Sequence, residues 1–186
     1  KMISPFMIRF IHIPKNAGHT IKRCINNIPD ISYVGHLSTN NVLIPRDIYS
    51  ESKTIVVLRD PITRFQSGVQ YGVQAYNRKP ISTNEFINAL TDPRHPERTY
   101  ISKEISNKIH HIGGRLLEFK QTYAPQHHWV NNPTYVILME NLESEFNILL
   151  KHLGHQQVSL PKINRRRPVP GGDKLSTKSL EYLCSV

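Results

Sequence analysis

Two cysteines, Cys24 and Cys184, are too few for a disulfide framework or a thiolate zinc quartet. One pairing between them is possible, but two free thiols in a reducing compartment is the expectation. No run of about 18 apolar residues occurs, so no segment is expected to span a membrane. The single tryptophan and the eight tyrosines form no patterned stacking platform of the kind that binds single-stranded nucleic acid. No repeat or low-complexity tract is present. Acidic residues are also scarce: 14 Asp and Glu stand against 24 Lys and Arg, a net charge of +10. Such an excess calls for an anionic partner, whether nucleic acid, a membrane surface, a nucleotide or an acidic polysaccharide.

What is present is an alternation of buried strands and amphipathic helices. Met7 to Ile13, Thr54 to Leu58 and Thr134 to Met139 are apolar, β-branched runs of the kind found in parallel strands covered on both faces. Ile31 to Val34 is a shorter candidate. After Gly18, the residues Ile21, Cys24, Ile25 and Ile28 fall on one helical stripe. Asp60 and Pro61 are good N-cap and first-turn residues for a second helix carrying Ile62, Phe65, Val69 and Val73. Asn141 to Leu153 is a third helix, stopped by Gly154. Weaker helices are expected over Thr83–Leu90 and Ile101–Ile112, with a last one capped by Ser176 or Thr177 and running through Leu183. Pro161 to Asp173, basic and rich in Pro and Gly, reads as a loop. At 186 residues this is one α/β domain, a P-loop-like three-layer fold with a central, mainly parallel sheet flanked by helices. Its ligand is expected at the carboxyl ends of the strands.

Two segments place chemistry at those ends. The first is "FIHIPKNAGHTI", residues 10 to 21: a strand, a tight turn and a helix start. First-turn N–H groups and the helix dipole make an anion site there by backbone physics alone. Lys15 adds a mobile charge, Asn16 lies in the turn, Ala17 and Gly18 admit a phosphate close to the backbone, and Thr20 offers a hydroxyl. A P-loop ATPase would carry its lysine at position 19, where this chain has His19. The second segment is "VVLRDPITRFQSG". Arg59 ends the Thr54–Leu58 strand on the same edge as Lys15. Arg64 and Ser67 share one side of the helix that follows. An arginine and a hydroxyl there suit a second phosphate monoester.

With these residues in view the chain resembles the PAPS-dependent sulfotransferases. "HIPKNAGHTI" is similar to their 5′-phosphosulfate loop, Pro-Lys-x-Ala-Gly-Ser/Thr-Ser/Thr, and "VVLRDPITRFQSG" to their 3′-phosphate segment, Arg-Asp-Pro-x-x-Arg-x-x-Ser. "YAPQHHWV", "YVILMENLESEFNILLKHLG" and "LPKIN" are similar to later parts of the carbohydrate branch, so the likeness runs from residue 7 to about 165. It implies an enzyme that moves a sulfuryl group from PAPS to a hydroxyl, expected to be that of a carbohydrate, leaving PAP and requiring no metal. It also implies that Lys15 binds the bridging oxygen and that Asn16, Ala17, Gly18, His19 and Thr20 surround the 5′-phosphate. His19 stands where Ser or Thr is usual. Arg59 and Ser67 would hold the 3′-phosphate, and Arg165 and Arg166 of the late basic loop would close over the nucleotide.

"YVGHLS" resembles the His-Gly-His segment of uronyl 2-O-sulfotransferases. Val34 replaces the first histidine, so only His36 carries over as the proton acceptor, with His127, His128 and Glu104 as rivals. Glu140, the nearest acid after a strand, corresponds to a structural position in the family.

Two other functions fit parts of the pattern. A degenerate P-loop kinase or NTPase would share the strand-turn-helix, though His19 argues against it. A non-enzymatic polyanion binder would account for the charge and for Arg165–Arg167. No nucleic-acid partner and no membrane insertion are expected, and the sequence does not specify an oligomeric state. No leader or anchor pattern is legible near the first strand. That points to a cytoplasmic protein, a lumenal catalytic fragment being the alternative.

Overall fold

The computed structural model describes residues 7–34, 53–75, 80–105, 111–112, 115–116, 123, 125–126, 129, 132–161 and 174–185; at 72–75, 103–105, 111–112 and 115–116 it describes the backbone alone. The proposed base His36, its rivals His127 and His128, and the late-loop Arg165 and Arg166 lie outside the described residues, as does most of the Pro161–Asp173 loop.

Strands β1 (Ile8–Ile11), β2 (Ile31–Val34), β3 (Thr54–Leu58) and β6 (Tyr135–Leu138) form one sheet in the order β2-β1-β3-β6. Every pairing in it is parallel. Their apolar runs explain this arrangement. Ile8 and Phe10 of β1, with Ile55 and Val57 of β3, point to one face and are buried there; Ile11 and Val56 alternate to the other face and are equally buried. In β3 the run Ile55-Val56-Val57 is buried on both faces and leaves no polar position between them.

Helix α1 (Gly18–Ile25) and helix α5 (Leu142–His152) cover the first face. Ile21 and Ile25 of α1 and Phe146, Leu149 and Leu150 of α5 join the sheet residues in one core cluster. Helix α2 (Pro61–Ala75) carries Val69 into a second cluster with Phe86 and Ala89 of α3 (Thr83–Thr91) and Ile101 of α4 (Arg98–Ile105). Ser82 caps α3, its Oγ accepting the Glu85 N–H at 3.2 Å. The chain closes with α6 (Thr177–Ser185). The architecture is therefore α/β, with a parallel central sheet flanked by helices, as the strand-helix alternation implies. No helix among the described residues is long and apolar enough to cross a membrane.

Gly154 ends α5 as expected, at φ 80°. Its N–H goes to Lys151 O and the His155 N–H to Leu150 O at 2.8 Å, a pair that satisfies the last carbonyls of the helix. One element differs from its expected form. Of the helix expected over Ile101–Ile112, the described part is Arg98–Ile105, residues 106–110 lie outside the described residues, and His111–Ile112 is a strand, β4, paired antiparallel with β5 (Arg115–Leu116). Two consecutive glycines, Gly113 and Gly114, follow in the sequence, and glycine disfavours a helix through this stretch.

The strand order fixes where a ligand can sit. The chain leaves β1 towards β2 on one side, then returns to the other side of β1 for β3 and continues outward to β6. Connections from β1 and β3 thus diverge, and a crevice opens between the carboxyl ends of these two strands. Lys15 follows β1 and Arg59 follows β3.

Candidate functional site

The loop after β1 reaches α1 through two left-handed residues, Lys15 at φ 70° and Ala17 at φ 55°. Neither is glycine, so each conformation costs about 1–3 kcal/mol and persists only because its surroundings impose it. Those surroundings are two arginines. Arg64 Nε donates to Pro14 O at 3.0 Å, and Arg59 Nη1 donates to Lys15 O at 3.2 Å. Consecutive carbonyls of the turn are thereby drawn towards guanidinium groups from the segment after β3.

Ala17 caps α1 with no side-chain hydrogen bond, and the first turn carries no acidic residue. Ile21 is the first residue of the helix whose N–H reaches back, to Ala17 O. The N–H groups of Gly18, His19 and Thr20 therefore belong to a helix end whose positive dipole no side chain of its own neutralises. Thr20 is buried and His19 exposed. Gly18 has a reason of its own to be glycine: a Cβ there would lie 1.8 Å from Cδ2 of His12. The His12 ring, 4% exposed, packs against that backbone, its Nδ1 paired with the Tyr33 hydroxyl.

Three cations converge at the crevice. Burial, then the neighbouring charges of Arg59 and Arg64, push Lys15 down to about 8. Burial and Arg59 likewise push Arg64 down to about 10. Lys15 Nζ lies 4.1 Å from the centre of the Tyr71 ring, a cation–π contact with a side chain 42% exposed. Like charges held together in a partly buried place depress one another, and a bound anion relieves them. The donor set, Lys15, the Arg59 guanidinium and a bare helix start, with Arg64 buried behind it, suits a phosphorylated or sulfated group.

The segment after β3 is itself tightly held. Asp60 Oδ1 accepts the Thr63 N–H at 2.8 Å, and Thr63 Oγ1 accepts from Arg59 Nε at 3.2 Å. Glu140 Oε1 accepts the Asp60 N–H at 3.1 Å, so the acid that follows β6 is committed to a backbone group of this loop. Ser67 sits half-buried on α2, one turn beyond Arg64.

Lys15 and Arg59 thus meet at the carboxyl ends of β1 and β3, with Ala17, Gly18 and His19 on the same loop and helix start, whereas Asn16 is 1% exposed and donates to Val57 O and Gln126, and Thr20 is buried. The sequence misses two contributors, Tyr71 and Gln126, and misplaces a third, Arg64. Arg64 was read together with Ser67 as phosphate chemistry, yet it is 4% exposed and buttresses the first loop. Tyr71 carried no signal beyond being an aromatic on α2. Gln126 lies within "YAPQHHWV", where only the histidines drew notice. Its Oε1 accepts from the Arg59 N–H at 3.0 Å and from Asn16 Nδ2, and its Nε2 donates to Arg59 O at 2.7 Å.

Compared with protein-family models, with curated proteins and with solved structures, the chain matches none.

Proposed function

We propose that the protein is a PAPS-dependent sulfotransferase of the carbohydrate type. The observation that carries this reading is the joining of two anion-suited loops on one rim, with Arg59 Nη1 on the Lys15 carbonyl at the crevice between β1 and β3. A donor with charged groups at both its 5′ and 3′ ends needs two such places side by side. The resemblance of "HIPKNAGHTI" and "VVLRDPITRFQSG" to the two phosphate segments of that family supports the same assignment.

PAPS supplies an activated sulfuryl group on its 5′-phosphate. Lys15, held among other cations, is placed to stabilise the negative charge that grows on the oxygen bridging phosphorus and sulfur. The bare start of α1 holds the 5′-phosphate, while Arg59 and Ser67 hold the 3′-phosphate, with Arg165 and Arg166 closing the nucleotide side. The acceptor hydroxyl oxygen forms a bond to sulfur as the bridging S–O bond breaks. The hydroxyl proton passes to His36, and PAP leaves.

The experiment is a thermal-shift comparison joined to a transfer assay. PAP, without metal, raises the melting temperature, and ATP with magnesium does not; radiolabelled PAPS then sulfates at least one member of a panel of mono- and oligosaccharides. Magnesium-dependent ATP hydrolysis, or no response to PAP, would overturn the reading in favour of a nucleotide hydrolase or a plain polyanion binder.

A further inference from the structure

We propose that Gln126 is a positioning residue that sets the spacing between the two anion loops, and so gives the site its preference for a nucleotide phosphorylated at both ends. The inference rests on the reading above and adds a residue and a selectivity to it.

Gln126 belongs to neither loop. It lies 67 positions from Arg59 and 110 from Asn16. Its amide uses both ends on Arg59, accepting the N–H at 3.0 Å and donating to the carbonyl at 2.7 Å. That is the exchange a neighbouring strand residue would make, continued by a side chain beyond the end of β3. Held from both directions, the Arg59 backbone cannot turn, and the origin of its guanidinium is fixed.

The same Oε1 takes Asn16 Nδ2–H, and Asn16, 1% exposed, also donates to Val57 O of β3 at 2.7 Å. One amide therefore grips the loop after β1 and the loop after β3 together. Gln126 is anchored in turn by Trp129, a fully buried indole whose backbone N–H goes to Gln126 O at 3.0 Å.

A ligand that touches one loop is indifferent to the distance between the loops. A ligand that bridges both gains from having that distance set beforehand, because its second contact is made at high effective concentration. Loss of Gln126 should thus remove the advantage of bridging while leaving single contacts largely alone. A merely structural residue would lower all affinities together.

The test is calorimetric titration of PAP, 5′-AMP and 3′-AMP into the wild type, Gln126→Leu and Gln126→Met. Wild type binds PAP far more tightly than either monophosphate. Gln126→Leu cuts the ratio of PAP to monophosphate affinity by about ten-fold or more, with each monophosphate within about two-fold of wild type. Should Gln126→Leu lack a cooperative melt, Gln126→Met decides: it keeps the length and neutrality of the side chain but can neither accept the Arg59 N–H nor donate to Arg59 O, and the ratio falls again. An unchanged ratio in a folded variant, or a parallel fall of all three affinities, overturns the role given to Gln126. If wild type itself shows no preference for PAP, it is the sulfotransferase reading that fails, and this is visible before any variant is made.

Discussion

The Arg59 side chain closes on the carbonyl of Lys15, Nη1 to O 3.2 Å, across the divide between two parallel strands. A cation that satisfies the backbone of a loop carrying another cation does two things. It holds Lys15 in a left-handed conformation, and it raises the positive potential at that lysine. Both cost stability in the free protein, and a bound anion offsets the second.

Removing the Lys15 charge should therefore separate stability from function. Lys15→Met is expected to abolish the proposed sulfuryl transfer and yet to raise stability at pH 7 by on the order of 1 kcal/mol, once solvent screening and the lost contact with Tyr71 are allowed for. The sign follows from the direction of the shift. With its folded pKa lowered to about 8, the protonated lysine penalises the fold fully below that pH, and the penalty fades between about 8 and the ordinary lysine range. Urea melts of wild type and variant at pH 7 check this; a variant with normal turnover would remove Lys15 from the mechanism.

Ligand binding should carry the complementary pH dependence. An anion beside Lys15 raises its pKa back towards the ordinary value, so PAP binding takes up a proton above about pH 8, and affinity falls as the pH is raised through that region. Calorimetry in two buffers of different ionisation heat measures the proton directly. Lys15→Met should flatten the profile, leaving the weaker affinity that Arg59 and the start of α1 provide.

Much of this site was legible in the sequence because its parts are local. Lys15 and Arg59 each end a strand whose β-branched run is unmistakable, and parallel neighbours must present those ends on one edge. Asp60-Pro61 announces α2, and Gly154 the end of α5. What was not legible depends on contacts distant in the chain. Arg64 could not be placed under Pro14, 50 residues away, nor Gln126 against Arg59, from any local pattern. The strand at His111–Ile112 was not legible because a two-residue strand pairing with Arg115–Leu116 is too short to show an alternating pattern.

Proton removal should be separable from nucleotide binding. On the proposed mechanism, His36→Ala is expected to slow transfer by about 10²–10⁴-fold while leaving PAP affinity within about two-fold, since a general base would act on the acceptor hydroxyl alone. Single-turnover transfer with a responsive saccharide, alongside PAP titration, measures the two independently. Loss of PAP affinity in step with the rate would make His36 a binding residue, and full activity would move the role of base elsewhere.

Gly18 gives the sharpest test of how the loop is built. An added Cβ meets the His12 ring at 1.8 Å, and the ring cannot retreat freely because it is 4% exposed, paired with Tyr33, and stacked 6.5 Å from Phe10. Gly18→Ala should therefore cost about 2–3 kcal/mol, at the upper end of overpacking, even though alanine is the better helix former at that position. His12→Ala opens the space that the methyl needs. The double variant His12→Ala, Gly18→Ala should then be more stable than the sum of the two single losses allows, by about 1 kcal/mol or more. Urea-melt cycles on the four proteins measure this coupling. Strict additivity would mean that the loop moves to accommodate the methyl and that His12 does not impose the glycine.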